Sequence, residues 1–318
     1  MPNAARWSPL YPSLAPSQTA THFQGVDVSK RELPITEDAV SKQFARRYKG
    51  KLAYVADVGE WRIFTGSHWT PAQKGEAHHH MRLLARELAS RASLDRASAQ
   101  RAAGRQAFVG GALRFAQTDP ELGLMSVDFD RDPYLLGTPQ GVIELRTGAL
   151  RATRAGDRIA RITSVSPAKT DNCPLFKAFL HEACGGDPAL VRFLAQWFGY
   201  NLTGLTTEQV MVFIHGPGGN GKSVLLRIVC EILGDYARVA NMEMFAASNF
   251  DRHPTELARM QGARLVTASE TEGGKGWAEA RIKTVTGGEP ITARYMHRDF
   301  FTYQPEFKLT IIGNHEPS

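Results

Sequence analysis

Between residues 210 and 234 the chain runs Val-Met-Val-Phe-Ile-His, then Gly216-Pro217-Gly218-Gly219-Asn220-Gly221-Lys222-Ser223, then an apolar-periodic stretch from Val224 to Leu233 closed by Gly234. A β-rich run feeds a glycine-dense turn, and a helix leaves it. Glycines let successive backbone N–H groups face one centre, where a Cβ would collide. The start of a helix adds unpaired donors and a positive dipole end. Lys222 supplies a point charge for outer phosphates, and the Ser223 hydroxyl can ligate Mg²⁺. The pattern G-x-x-x-x-G-K-[ST] in this context predicts a cradle for the phosphates of a nucleotide. A glycine turn that merely joins strand to helix is the competing reading.

Two further strand-like runs carry polar residues at their ends. Arg264-Leu265-Val266-Thr267-Ala268 leads into Ser269-Glu270-Thr271-Glu272, and Phe307 to Ile312 leads into Gly313-Asn314-His315. Beyond Gly204 the order is strand, glycine loop, helix, strand, helix, strand, which predicts an α/β layer on a parallel sheet. In such sheets ligands lie at the carboxyl ends of the strands. Glu270 is therefore the first candidate for a metal-orienting and water-polarising carboxylate, with Glu272 second. A solvated acidic turn would give the same pattern. The Asn314 amide suits a hydrogen bond to a γ-phosphate or to water, although Asn after Gly also makes an ordinary turn.

Upstream, residues 1–35 carry scattered prolines without periodicity and read as a tail. A helix is expected from Glu37 to Tyr48, then β-like runs at 52–55 and 61–64, and two or three helices between Glu76 and Ala116. Residues 141–145 and 150–153 make a second β pair around Arg146-Thr147-Gly148. Helices follow at Pro174–Ala183 and Asp187–Phe198, and a domain boundary is expected near residue 172. The division is thus a tail over 1–35, a helical, α+β unit over 36–172, and the phosphate-binding unit over 173–318.

Composition narrows the setting. The balance of 38 Lys+Arg against 32 Asp+Glu gives a net charge of +6 and a pI near 9.3, which favours a polyanionic partner without requiring one. No apolar run reaches membrane-spanning length, and the amino terminus has no export pattern. Three scattered cysteines, Cys173, Cys184 and Cys230, imply no disulfide framework and a reducing, cytoplasmic-type setting. Asp128, Asp130 and Asp132 alternate as in a calcium loop, but Pro133 and Pro139 occupy its Gly and Glu positions.

Taken together, Gly216 to Ser223, Ala268-Ser269-Glu270-Thr271-Glu272, Gly287-Gly288-Glu289-Pro290-Ile291-Thr292-Ala293-Arg294 and Ile311-Ile312-Gly313-Asn314-His315-Glu316-Pro317 resemble the superfamily 3 helicases. The closest likeness is to the phage/plasmid primase–helicases, relatives of the poxvirus primase–helicases. Trp61 to Trp69, Asp132-Pro133-Tyr134-Leu135-Leu136 and Gly141 to Gly148 resemble the helical domain that precedes that motor, so the likeness covers about 37–318. It implies an AAA+-like P-loop core behind a mainly helical domain with short hairpins, ATP and Mg²⁺ as ligands, and a hexameric ring on single-stranded DNA. It implies a bacterial cytoplasmic setting, phage, prophage or plasmid encoded, with a separate primase or replication initiator as a further partner. It assigns catalytic carboxylates to Glu270 and Glu272, a sensor to Asn314, and a DNA-gripping hairpin to Arg294–Phe301, with His297 and Arg298 at its tip and Lys283 nearby. The family's arginine finger would fall beyond Ser318, so the chain reads as truncated. The alternative is then a hydrolysis-deficient, nucleotide-gated DNA-binding or assembly module. A small-molecule kinase is a weaker third reading, for which only the loop speaks.

Overall fold

The structure is a computed structural model that describes residues 35–92, 95–246, 255–269, 276–296 and 299–314. The chain enters with α1 (Glu37–Tyr48), whose Thr36 hydroxyl accepts the Ala39 amide at 3.1 Å. Acidic Glu37 and Asp38 sit in its first turn and Arg46 and Arg47 in its last, as the helix dipole favours. Next come β1 (Leu52–Val55), β2 (Glu60–Phe64) and β3 (Trp69–Pro71), then α2 (Glu76–Arg91), α3 (Arg96–Ala103), α4 (Gln106–Gln117) and β4 (Gly123–Leu124). Phe44, Met81, Leu84, Val109 and Ala112 bury the facing stripes of α1, α2 and α4 in one core. The sheet beside it has the order β3-β2-β1-β4, antiparallel except for the parallel β1–β4 pair.

A three-stranded meander follows, of β5 (Leu135–Thr138), β6 (Gly141–Glu144) and β7 (Ala149–Arg151). Two helices then lead to the larger sheet. Both α5 (Pro174–Ala183) and α6 (Pro188–Asn201) begin with proline, where the missing N–H costs nothing.

The larger sheet is built from β8 (Met211–His215), β9 (Ala237–Val239), β10 (Leu265–Ser269) and β13 (Lys308–Gly313), with α7 (Lys222–Leu233) leaving β8 and α8 (Thr255–Arg259) preceding β10. Then α9 (Glu279–Thr286) leads to a hairpin of β11 (Ile291–Arg294) and β12 (Phe300–Tyr303). The order is β8-β13-β10-β9, and every pair is parallel. All six residues of β13 are buried, as a central strand covered on both faces requires. By contrast β8 is an edge strand and its residues are half-buried or exposed.

This layer is the α/β core on a parallel sheet expected from the sequence: β8, ahead of the glycine turn, and β10, which ends at Ser269, are separated by β13, which leads into Asn314. A second core of Leu136, Leu233, Tyr236, Ala237 and Leu265 joins the meander to the amino edge of the sheet, so apolar packing runs across residue 172. The α5–α6 pair packs through Phe179, Cys184 and Leu194 against Leu225 of α7 and Ile214 of β8. The Trp197 indole donates to the Thr310 hydroxyl at 2.9 Å, tying α6 to β13.

Candidate functional site

The candidate site lies at the carboxyl edge of the larger sheet, where β8 turns through residues 216–221 into α7. Backbone dihedrals explain the glycines at the two ends of this turn. Gly216 has φ +149° and Gly221 has φ +85°, both in the region that favours glycine. A Cβ on Gly216 would lie 2.6 Å from Nδ2 of Asn220, and one on Gly221 would lie 2.8 Å from the Phe179 ring. The turn is therefore wound tightly on itself and pressed against α5. The first turn of α7 has no side-chain cap, so its amides face the loop without an internal partner.

Lys222 folds back into this turn. Its Nζ donates to the carbonyls of Gly216 at 2.6 Å and Pro217 at 3.1 Å, and to Oδ1 of Asn220 at 2.8 Å. The ammonium thus stands inside the curve of the loop, ringed by three oxygens. Asn220 is the piece that sequence reasoning did not single out by role: one side-chain amide steadies both Lys222 and the tight approach at Gly216. Pro217, Gly218 and Gly219 line the exposed rim, and Ser223 is exposed on the first turn of the helix.

Two clefts flank the start of α7. One, of about 470 Å³, is lined by Ser223, Cys230, Thr267 and Ser269 among others. Burial pushes the Cys230 thiol up, and its sulfur lies 3.7 Å from the Thr267 hydroxyl, so it is an inert wall rather than a nucleophile. The other, of about 290 Å³, is walled by Ala183, Phe193, Leu194 and Leu225 and reaches Asn220 and Lys222. Sequence reading missed this apolar cleft, because helices Pro174–Ala183 and Pro188–Asn201 carry no motif; half-exposed Phe193 and Leu190 are its visible trace.

Strand register shows where the companions stand. Gly313 of β13 pairs with His215 of β8, so Asn314 leaves the sheet beside the first residue of the loop, and it is exposed there. Ser269 pairs with Ile312, which brings the end of β10 to the same edge. Glu270 and Glu272 follow directly in the chain and lie outside the described residues, as do His297 and Arg298. Lys283 sits on the exposed side of α9, 3.4 Å from Glu279 one turn earlier. Arg294 ends β11 with its guanidinium carbon 4.7 Å from the centre of the Phe300 ring. The loop and Asn314 therefore share one edge. Lys283 and Arg294 belong to a second locus, on and before the hairpin.

Among the described residues, no group of three His, Cys, Asp or Glu side chains converges as a metal site. The aspartates 128, 130 and 132 are each spent on protein partners: Asp128 on Arg158 and the Met125 amide, Asp130 on Arg161 and the Ala160 amide, and Asp132 on the Tyr134 amide. No helix among the described residues is long and apolar enough to cross a membrane.

Comparison with known proteins agrees with this architecture. Residues 41–185 match the family described as D5 N terminal like, and residues 214–318 match a family of unknown function, DUF5906. Over 197 residues the chain is 26% identical to "Putative helicase L207/L206" of Acanthamoeba polyphaga mimivirus, a match covering 60% of this chain and 20% of that protein. The fold matches two apo structures of the NrS-1 C-terminal region at a TM-score of 0.50 and 10% identity, over 88% of this chain and 57% of theirs. The chain thus spans a fifth of the mimivirus protein and little more than half of the NrS-1 chains. A segment similar to the D5 N terminal-like family thus runs into a parallel α/β sheet, and the chain is similar in sequence to a putative viral helicase and in fold to the NrS-1 C-terminal region.

Proposed function

We propose that this chain is the ATP-driven motor of a DNA helicase serving phage or plasmid replication. The observation that carries the reading is the position of Lys222, whose ammonium stands inside the glycine turn at an uncapped helix start. That is the place for the outer phosphates of a nucleotide. Backbone amides of residues 216–223 bind the phosphates, and Lys222 exchanges its loop oxygens for phosphate oxygens. The Ser223 hydroxyl would hold Mg²⁺, which would supply charge neutralisation when bound. The apolar cleft beside Phe193 receives the base. Glu270 and Glu272, which follow Ser269 in the chain, would orient metal and water, and Asn314 would sense the γ-phosphate.

On this reading Lys283, Arg294, His297 and Arg298 serve a second surface that holds single-stranded DNA by its backbone. Such contacts are independent of sequence and weaken with salt, as a moving motor requires. The chain works as a ring, with six copies as the proposed number, beside a separate primase or replication initiator in a bacterial cytoplasm. The tail expected over 1–35 lies, but for Ile35, outside the described residues; residues 36–172 are the preceding unit and 173–318 the motor.

The test is steady-state ATP hydrolysis with Mg²⁺, with and without single-stranded DNA, over a range of protein concentrations. Turnover should rise with assembly and with DNA. Lys222→Ala should lose nucleotide binding while its unfolding free energy in urea stays within about 1 kcal/mol of wild type, since its bonds are local to the loop. Unchanged ATP binding by Lys222→Ala would sink the reading.

A further inference from the structure

The hairpin of β11 and β12 alternates strictly between two faces. Ile291, Ala293 and Tyr303 turn inward and are buried, and Phe301 packs against the same core. Two phenol hydroxyls pin this inner side: Tyr303 donates to the Leu257 carbonyl at 2.7 Å and Tyr295 to the Ala258 carbonyl at 3.1 Å. The outer face carries Thr292, Arg294, Phe300 and Thr302. They form two adjacent cross-strand pairs. Thr292 stands opposite Thr302 with their hydroxyl oxygens 3.3 Å apart, and Arg294 stands opposite Phe300 with its guanidinium over the ring.

Polar residues are expected on the open face of a ribbon. Phe300 breaks that rule: it is 60% exposed and takes no part in the core that holds Phe301 and Tyr303. We propose that this outer face is a platform for one nucleic-acid strand, on which Phe300 stacks a base while Arg294 and the hydroxyls of Thr292 and Thr302 hold adjoining phosphates. Each part has the chemistry for its task. An aromatic face accepts any base, a guanidinium matches phosphate geometry, and hydroxyls donate to phosphate oxygens. Asp299, directly before Phe300, repels phosphate and so favours a base rather than the backbone over the ring. The inference rests on the reading that the hairpin meets DNA, and adds to it a stacking contact independent of charge.

The experiment is equilibrium binding of a labelled single-stranded oligonucleotide to the full chain at several salt concentrations. Phe300→Ala should weaken binding about tenfold, within the five- to hundredfold range of lost base stacking, and leave the salt slope unchanged. Phe300→Trp should retain the affinity. Arg294→Ala should weaken binding and lower the magnitude of the slope by about 0.7. On an abasic strand of the same length, Phe300→Ala and wild type should bind alike. Full affinity in Phe300→Ala beside a weakened Arg294→Ala would overturn the platform and leave a hairpin that touches phosphate alone. An equal loss on base-bearing and abasic strands would overturn it too, as a structural effect. If neither variant changes binding, the hairpin is off the DNA path, and the DNA-gripping part of the proposed function falls with it.

Discussion

Arg264 lies buried against Tyr236, its guanidinium carbon 4.5 Å from the centre of the phenol ring. One arm of the fork donates to the Leu135 carbonyl at 2.7 Å and the other to the Leu202 carbonyl. Tyr236 in turn accepts the Gly137 amide at 3.0 Å and donates to the Arg161 carbonyl at 2.8 Å. Arg161 is ion-paired with Asp130 at 2.9 Å. A residue type usually found in solvent thus ties the meander, the end of α6 and the amino edge of the larger sheet together.

Arg264→Leu is expected to cost about 3–5 kcal/mol, because two buried carbonyls lose their donors at once. Arg264→Lys should recover only part, since an ammonium cannot span both carbonyls as the planar fork does. Urea unfolding of the three proteins checks the order; equal midpoints for wild type and Arg264→Leu would contradict it.

Lys308 sits beside this cluster, donating to the carbonyls of Thr203 and Glu306, with its ammonium 4.8 Å from the centre of the Tyr200 ring. Burial, reinforced by Arg264, brings its pKa down to about 7 from 10.5. Between those values the unfolded chain binds more protons than the native one, so the contribution of Lys308 to stability rises with pH across pH 7 to 10.5. Glu306 acts in the opposite sense lower on the scale. Burial raises its carboxyl above 4.5, and its contribution falls as pH climbs from there through the raised value. Unfolding midpoints measured from pH 5 to 10 should show both limbs. Lys308→Met should flatten the alkaline one, and Glu306→Gln the acidic one.

Gly221 and Phe179 form a pair that can be tested by substitution. Gly221→Ala should cost about 2–3 kcal/mol, part from a left-handed backbone at φ +85° and part from the Cβ meeting the Phe179 ring. In a Phe179→Ala background the steric share disappears and about 1 kcal/mol remains. A double-mutant cycle on thermal unfolding reads the difference; strict additivity would mean that the ring and the loop are not in contact.

The strand–turn–helix at 211–233 was legible because its signals are local: glycines, lysine and serine at fixed spacing, between a strand and a helix that each announce themselves. The helices at 37–48 and 174–183 could likewise be read from caps and periodicity. Less could be read where a strand owes its existence to its neighbours. Ala237–Val239 is three residues long, and its pairing with Leu265–Thr267 is what makes it a strand. The pair at Gly123–Leu124 is shorter still and joins the sheet only through Tyr54 and Val55. The burial of Arg264 and Lys308 could not be read at all, since sequence rules send both residues to the surface. The acidic pair at 270 and 272 and the hairpin tip at 297 and 298 fall outside the described residues.

The phenol pins on the hairpin have a mechanical consequence. Both grip the carbonyls of Leu257 and Ala258 on α8, and the chain reaches Leu265 of β10 only seven residues after Ala258. A tilt of that short helix would carry the ribbon with it as a crank carries its arm. Motion at one end of a central strand would thereby become travel at a point well removed from it, with no hinge of its own needed.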